Sequence, residues 1–266
     1  MKPSVRIVIP AYNAEATLDE TLKSIAAQSF TDWQCVIVDD KSTDGTAALA
    51  KRWQDTDSRF HLIEAPRNFG GPAGPRNLGI KSASEDYIAF LDSDDVWHPK
   101  KLETQLASMQ SHEAVFSATG RVNFTGQIAF KAVETSLVTR WITIDKMLHK
   151  NRIATSSVVI STSLVRQFPF NENAEFRAIE DFDCWLKITT SGHPCLKISA
   201  PLLGYRFSQN QISGNKFSMA LKFLHVLNAY CDKEGRPLGL KRFFYFLTYV
   251  SLSVFERIVW AFKPLG

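Results

Sequence analysis

Tyr87-Ile88-Ala89-Phe90-Leu91-Asp92-Ser93-Asp94-Asp95 is a largely apolar run of five residues that breaks into three carboxylates within four positions. A short apolar run bounded by polar residues predicts a buried strand, which places the acidic cluster where that strand leaves the edge of a sheet. Carboxylates held so close repel one another, and a divalent cation relieves the repulsion. Hard oxygen ligands favour Mg²⁺ or Mn²⁺, and such a cation with its waters is suited to gripping a diphosphate. The competing reading is an acidic turn, with Asp95 in it, that caps a helix beginning near Pro99.

Upstream, from residue 5 to about 120, short β-branched runs alternate with amphipathic stretches, the pattern of parallel strands joined by helical crossovers. Residues 5–9 read as a first strand ended by Pro10, and Leu18, Leu22, Ile25 and Ala26 stand at helical spacing within 16–28. Residues 35–38 read as a second strand, 46–53 as a helix and 60–63 as a third strand. Gly70, Gly71, Pro72, Gly74 and Pro75 predict a loop in which backbone comes close to a ligand, with a helix opening at Arg76. Downstream, residues 116–130 predict two strands around a turn at Gly126, 143–149 a helix, 156–160 a strand, and 181–191 a helix ended by Gly192.

With 266 residues the chain can bury one large domain, or one domain with an appendage beginning near residue 215. Its net charge is only +4 and its basic residues form no long run, which argues against nucleic acid as a partner. Four cysteines, Cys35, Cys184, Cys195 and Cys231, lack the close pairs of zinc or redox sites and fit reduced thiols of a cytoplasmic protein. Met1-Lys2 runs straight into the first strand without the apolar core of a signal peptide, so secretion is not expected.

In open sheets with parallel strands, ligands bind beyond the carboxyl ends of the strands. The first strand delivers Ala11, Tyr12 and Asn13 there, the second Asp39 to Gly45, and the fourth Asp92 to Asp95; Arg67, Asn68, Arg76 and Asn77 flank the glycine-rich loop. An aromatic, several carboxylates, a metal site and arginines suit a nucleotide diphosphate. Singly each has a plain structural alternative: Tyr12 as a packed turn residue, Asp39 and Asp40 as helix caps, Asp44-Gly45 as a turn. Their recurrence at successive strand ends is what favours the ligand reading.

Val8-Ile9-Pro10-Ala11-Tyr12-Asn13, Val38-Asp39-Asp40-Lys41-Ser42-Thr43-Asp44-Gly45-Thr46, Arg76-Asn77-Leu78-Gly79 and Leu91-Asp92-Ser93-Asp94-Asp95 together resemble the family 2 inverting glycosyltransferases of the GT-A fold, of the bacterial cell-surface polysaccharide type. The resemblance spans roughly residues 5–210. It implies an α/β fold, a mixed, mainly parallel sheet flanked by helices, with a catalytic domain over 1–214. That domain divides into a nucleotide-binding half to about 120 and an acceptor-side half over 121–214, and a helical segment follows over 215–266. It further implies that Asp39 binds uracil with Tyr12 against the base, within a donor site that includes Pro10, Asn13, Arg76, Asp92 and Ser93. Asp94 would ligate Mn²⁺ or Mg²⁺ directly, with Asp92 beside it. Within Ala178-Ile179-Glu180-Asp181-Phe182-Asp183-Cys184-Trp185, the general base falls on Asp181, with Glu180 as alternative base or partner to the acceptor. Read without the family, Glu180-Asp181 is equally a helix cap. Tyr205-Arg206 and Gln211-Ile212-Ser213 resemble the loop over the donor phosphates.

The implied activity is metal-dependent transfer from a nucleotide donor, UDP-linked by the uracil role of Asp39. The acceptor would be a polyprenyl-diphosphate-linked saccharide, in the making of a polymer such as O-antigen or capsule. A nucleotidyltransferase that makes the sugar nucleotide is the first alternative, although Ala11-Tyr12-Asn13 lacks its glycine-rich, basic loop; a non-catalytic sugar- or nucleotide-binding module is the second. Residues 243–262 carry only Glu256 and Arg257 as charges. A helical wheel puts Phe244, Leu247, Val250, Leu252, Val254, Phe255, Ile258, Val259 and Phe262 on one arc and Tyr245, Tyr249, Ser253, Glu256, Arg257, Trp260 and Lys263 on the other. That asymmetry predicts a helix over 241–263 lying in the interface of the inner face of the cell membrane, or one covering the domain's own apolar surface.

Overall fold

The computed structural model describes residues 3–133, 137–207 and 216–261. Strand β1 (Val5–Ala11) pairs in parallel with β2 (Trp33–Asp39), and β2 with β3 (Phe60–Glu64); on its other side β1 pairs in parallel with β4 (Tyr87–Phe90). β1 and β2 are apolar on both faces and buried almost throughout, as strands covered by helices on each side must be. Pro10 does not end β1 but lies within it. Val8 O accepts from Leu91 and Ala11 O from Asp40, so Pro10 turns its nitrogen toward β4, where the ladder has already stopped at Val8–Phe90.

Helices α1 (Leu18–Ala26), α2 (Thr46–Thr56) and α3 (Ala73–Ser82) form the first crossovers. α1 buries Leu18, Leu22 and Ile25, the apolar stripe of its sequence. α3 begins three residues before the expected Arg76 and takes Gly74 and Pro75 into its first turn, where a proline's missing N–H has no intrahelical partner to lose. α3 also lies close on the sheet: a Cβ at Gly79 would stand 2.4 Å from Val8 Cγ1.

After β4 come β5 (Val96–Trp97), α4 (Lys101–Ser111), β6 (Phe116–Phe124), β7 (Thr139–Ile142), α5 (Ile144–His149), β8 (Val159–Ser161), α6 (Thr162–Val165), α7 (Glu180–Thr190) and β9 (Cys195–Arg206). One sheet runs in the order β3-β2-β1-β4-β8-β6-β9-β5, with β7 on β9; β8 lies antiparallel between β4 and β6, and β9 runs parallel to β6. The turn at Gly126 does not lead into a second strand. Residues 127–133 stay outside the sheet, and Ile128 and Phe130 instead lay their side chains over Gly204 of β9.

The core divides between the two faces of the sheet. One face collects Leu22, Ile25, Leu49, Leu102 and Met109 from α1, α2 and α4. The other collects Ile80, Met147, Leu164, Phe182 and Trp185 from α3, α5, α6 and α7, together with Phe223, Val226 and Leu227 of α8 (Lys216–Ala229). α9 (Lys241–Ala261) packs Tyr245, Phe246 and Tyr249 against that second face and leaves Phe244 and Leu247 exposed. The tyrosines of the more polar arc therefore face the domain, while Phe244 and Leu247 of the apolar arc face away and Val250 and Leu252 are half-buried. The wheel positions from 254 onward lie outside the described side chains, and no described helix is long and apolar enough to cross a membrane.

Candidate active site

The carboxyl ends of β1, β2 and β4 meet at one edge, and each ends in polar residues that brace the next. Asn13 holds a left-handed backbone, φ +48°; its Oδ1 accepts the Thr43 N–H at 2.8 Å and its own N–H reaches Ser42 Oγ at 2.9 Å. It joins the loops after β1 and β2, which leaves the Tyr12 ring, 52% exposed, as an open platform beside them. Asp39 is buried at the end of β2. Oδ2 accepts the Ser42 N–H at 3.1 Å, and Oδ1 is buried with no partner. Asp40 does different work: Oδ1 accepts the Phe69 N–H and its carbonyl the Asn68 amide, each at 2.8 Å, and this pins the glycine-rich loop. Burial raises the Asp40 pKa, with the neighbouring Asp39 charge adding to the shift.

The acidic loop is anchored from behind. Thr17 and Thr21 donate to Ser93 O at 2.9 and 3.1 Å, and the Asp92 N–H donates to Ser156 Oγ at 3.1 Å. Asp95 does not cap α4, which starts at Lys101; it is 1% exposed and accepts the Arg206 N–H at 2.9 Å. Asp94 is the carboxylate left over. Burial, then repulsion from Asp92, push its pKa up to about 6. An incompletely relieved pair of hard oxygen ligands is the donor chemistry a Mg²⁺ or Mn²⁺ ion answers. Among the described residues no group of three or more acidic, histidine or cysteine side chains forms a ready-made metal cage.

Arg76 connects this loop to the start of α7. It is 3% exposed, with Nη2 2.7 Å from Asp92 Oδ1 and Nη1 2.9 Å from Glu180 Oε1. Burial works against its charge, but Asp92 and Glu180 outweigh that and hold the guanidinium ionised. Glu180, buried and paired, sits at the first position of α7. Asp181, next along, accepts Thr155 Oγ1 at 3.1 Å and Asn151 Nδ2 at 3.2 Å through Oδ2. Burial and then the Glu180 charge raise its pKa to about 6, while Arg76 pulls the other way. Thr155 and Asn151 are site residues that the sequence did not disclose; the only hint was the hydroxyl cluster Thr155-Ser156-Ser157. Ala178, just ahead, holds φ +70°, a left-handed turn that costs an alanine on the order of 1 kcal/mol and aims the start of α7.

Beside Glu180 opens a cleft of about 120 Å³ lined by Phe69, Gly70, Gly71, Asn171 and Arg177. The loop closes tightly here: a Cβ on Gly74 would fall 2.1 Å from the Phe69 ring. The remaining expected residues lie at the end of β9. Tyr205 stacks under Arg121 at 4.4 Å, and burial raises its pKa to about 12. Arg206 is held by protein on every side, with Nε 2.8 Å from Asp94 O, Nη1 3.3 Å from Gly126 O, Nη2 paired with Glu20 and the guanidinium over Phe124. It clasps the acidic loop. Gln211, Ile212 and Ser213 lie outside the described residues.

The family model described as Glycosyl transferase family 2 matches residues 6–172. The chain belongs to glycosyl transferase family 2. It is 33% identical over 257 residues to the putative teichuronic acid biosynthesis glycosyltransferase TuaG of Bacillus subtilis, covering 97% of this chain and 98% of that protein. It is 32% identical over 256 residues to the Escherichia coli UDP-Glc:alpha-D-GlcNAc-diphosphoundecaprenol beta-1,3-glucosyltransferase WfgD, covering 94% and 93%. Among solved structures it resembles S. aureus TarS 1–349 in complex with UDP-GlcNAc, with a TM-score of 0.70, 20% identity, and 85% of this chain over 65% of that one. It also resembles the mannosyltransferase PcManGT of Pyrobaculum calidifontis, in complex with GDP-Man and Mn²⁺, with a TM-score of 0.69, 16% identity, and 100% of this chain over 77% of that one. The fold is therefore of the GT-A type, and family membership makes the protein a glycosyltransferase rather than a nucleotidyltransferase.

Proposed function

We propose that this family 2 enzyme transfers a sugar, with inversion, from a UDP-sugar to a lipid-linked saccharide at the inner face of the cell membrane, as one step in building a surface polysaccharide. The single observation that carries the reading is the Asp92–Arg76–Glu180 bridge, which sets an acidic loop suited to a diphosphate beside a carboxylate, Asp181, tuned to accept a proton near neutral pH. The unpartnered Oδ1 of Asp39 supports a uracil donor, because it can accept the imide N–H of that base while the exposed Tyr12 ring lies against it.

In the reaction, Asp181 accepts the proton of an acceptor hydroxyl as that oxygen attacks the anomeric carbon. One C–O bond forms, the bond to the diphosphate oxygen breaks, and UDP leaves. Asn151 and Thr155 fix the carboxylate that takes the proton, and Glu180, tied to Arg76, is held out of that role. Asp94 and Asp92 would hold a divalent cation, which would supply charge neutralisation to the departing diphosphate. With no second free carboxylate needed, a single displacement suffices. The acceptor class is supported by WfgD, whose name specifies a diphosphoundecaprenol-linked substrate, and by the cleft beside Glu180.

The test is Asp181→Asn, read by UDP release with a lipid-linked acceptor and by calorimetric UDP binding with Mn²⁺. Transfer should fall by roughly 10²–10⁴-fold while UDP affinity stays within a few fold. Equal loss of both, or transfer that persists, overturns the assignment. Titration with GDP in parallel checks the base.

A further inference from the structure

We infer that the exposed stripe Leu240-Phe243-Phe244-Leu247 is a bilayer-contact surface for anionic lipid, set on the same packed core that carries the catalytic base. The lipid-linked acceptor proposed above supplies its purpose, and the exposed side chains supply its chemistry.

Leu240, in the turn just before α9, and Phe243, Phe244 and Leu247 within it follow helical spacing, with exposures of 83%, 45%, 59% and 63%. They stand opposite Tyr245, Phe246 and Tyr249, which pack against the domain, so this stripe is the outer face of a docked helix. Its rim is basic. Residues 144–152 and 240–253 hold Lys146, Lys150, Arg152, Lys241 and Arg242 against the single acid Asp145. Arg242 lies 4.9 Å over the Phe243 ring, which keeps a cation at the level of the apolar side chains. α5 meets the stripe at His149, whose Nδ1 lies 2.8 Å from Thr248 Oγ1 and whose ring meets Phe244 at 5.8 Å and Tyr245 at 5.0 Å.

Aromatic and aliphatic side chains in a cationic frame match the boundary between acyl chains and anionic headgroups. Two-fold pairing with a second copy matches them poorly, because a patch that meets itself would bring the basic rims together. The surface also reaches the site mechanically. Phe182, the residue after Asp181, stacks on Phe223 at 4.8 Å, and Phe223 on Tyr249 at 4.1 Å. Lys222 donates to the carbonyl of Arg177, which lines the cleft. A bilayer that seats α9 thereby seats the helix that presents Asp181.

The experiment sediments the full chain with vesicles of phosphatidylcholine alone or with added phosphatidylglycerol, without donor or acceptor. The wild-type protein should bind the anionic vesicles and release with salt, and the triple variant Phe243→Ser, Phe244→Ser, Leu247→Ser should bind roughly tenfold less or weaker still, with UDP affinity and Tm unchanged. The single variant Phe243→Trp should shift its emission to the blue on anionic vesicles, which tests the same face without removing apolar surface. Indifference to lipid charge, triple-variant binding equal to wild type, or a wild-type dimer that the triple variant dissolves would each overturn the inference. Because no sugar transfer is read, a protein that binds vesicles yet transfers nothing would refute the proposed reaction and leave this surface standing.

Discussion

Arg76 is buried to 3% and remains charged only because two carboxylates from distant parts of the chain meet it there. Removing one partner of such a cluster leaves charge uncompensated in a poorly solvated site, which is why Asp92, Arg76 and Glu180 behave as a unit. Asp181 sits at the edge of that unit, and in the proposed reaction its ionisation sets a pH limit on transfer. With its pKa raised to about 6, kcat/KM for the acceptor, at saturating donor and metal, should fall with unit logarithmic slope as pH drops below that value. A flat profile between pH 5 and 7 would remove Asp181 from the proton transfer. The same shift acts on stability with the opposite sense. A carboxyl group whose pKa is raised on folding favours the folded chain most at low pH, and that contribution is lost as pH climbs from about 4 to 6. At this scale Asp39, Asp92, Asp94 and Asp181 were legible because each stands at the end of an apolar strand or the start of a helix. Thr155 and Asn151 were not, since they reach Asp181 from a short polar loop whose sequence says nothing about what it faces. Nor were the partners of Arg206, a positive charge that the sequence offers to any phosphate and the fold gives to Asp94 O, Gly126 O and Glu20.

At the level of elements, α7 is held by its neighbours more than by its own cap. No side chain caps its start, and its apolar face packs Phe182 on Phe223 and Trp185 against Phe90, Phe116 and Phe170. Phe223 is 1% exposed and lies between the rings of α7 and α9. Phe223→Ala should cost about 3–5 kcal/mol and lower Tm by on the order of 10 °C, with transfer falling more than UDP binding because α7 loosens first. A calorimetric scan with nucleotide titration checks it; an unchanged Tm would show that α8 and α9 do not support α7. Helices α1 and α2 and the parallel strands could be read from periodicity alone. β9 could not: its twelve residues include Pro201, its burial does not alternate, and it takes partners from β5, β6 and β7 at once. α3 was mistaken at its start for the reverse reason, because Gly74 and Pro75 disfavour a helix interior and are harmless in its first turn.

Across the whole molecule, one sheet passes through the boundary near residue 120, since β8 from the later half pairs with β4 from the earlier one and β9 reaches back to β5. The sequence showed the parallel half and the edge at which its strands end, which follow local rules. It did not show this stitching, which depends on pairings more than 60 residues apart in the chain. The two faces of the sheet carry different helices: α1, α2 and α4 on one, α8 and α9 on the other. That division gives the molecule a top and a bottom that a chemical label can read. An amine-reactive reagent too polar to enter lipid should modify Lys23 on α1 and Lys51 on α2 equally with and without anionic vesicles, while Lys241 loses reactivity when they are present; equal loss at all three would mean the face has been misassigned. On this geometry a fluorophore or an immobilising tag belongs on the outer side of α2, across the sheet from α9.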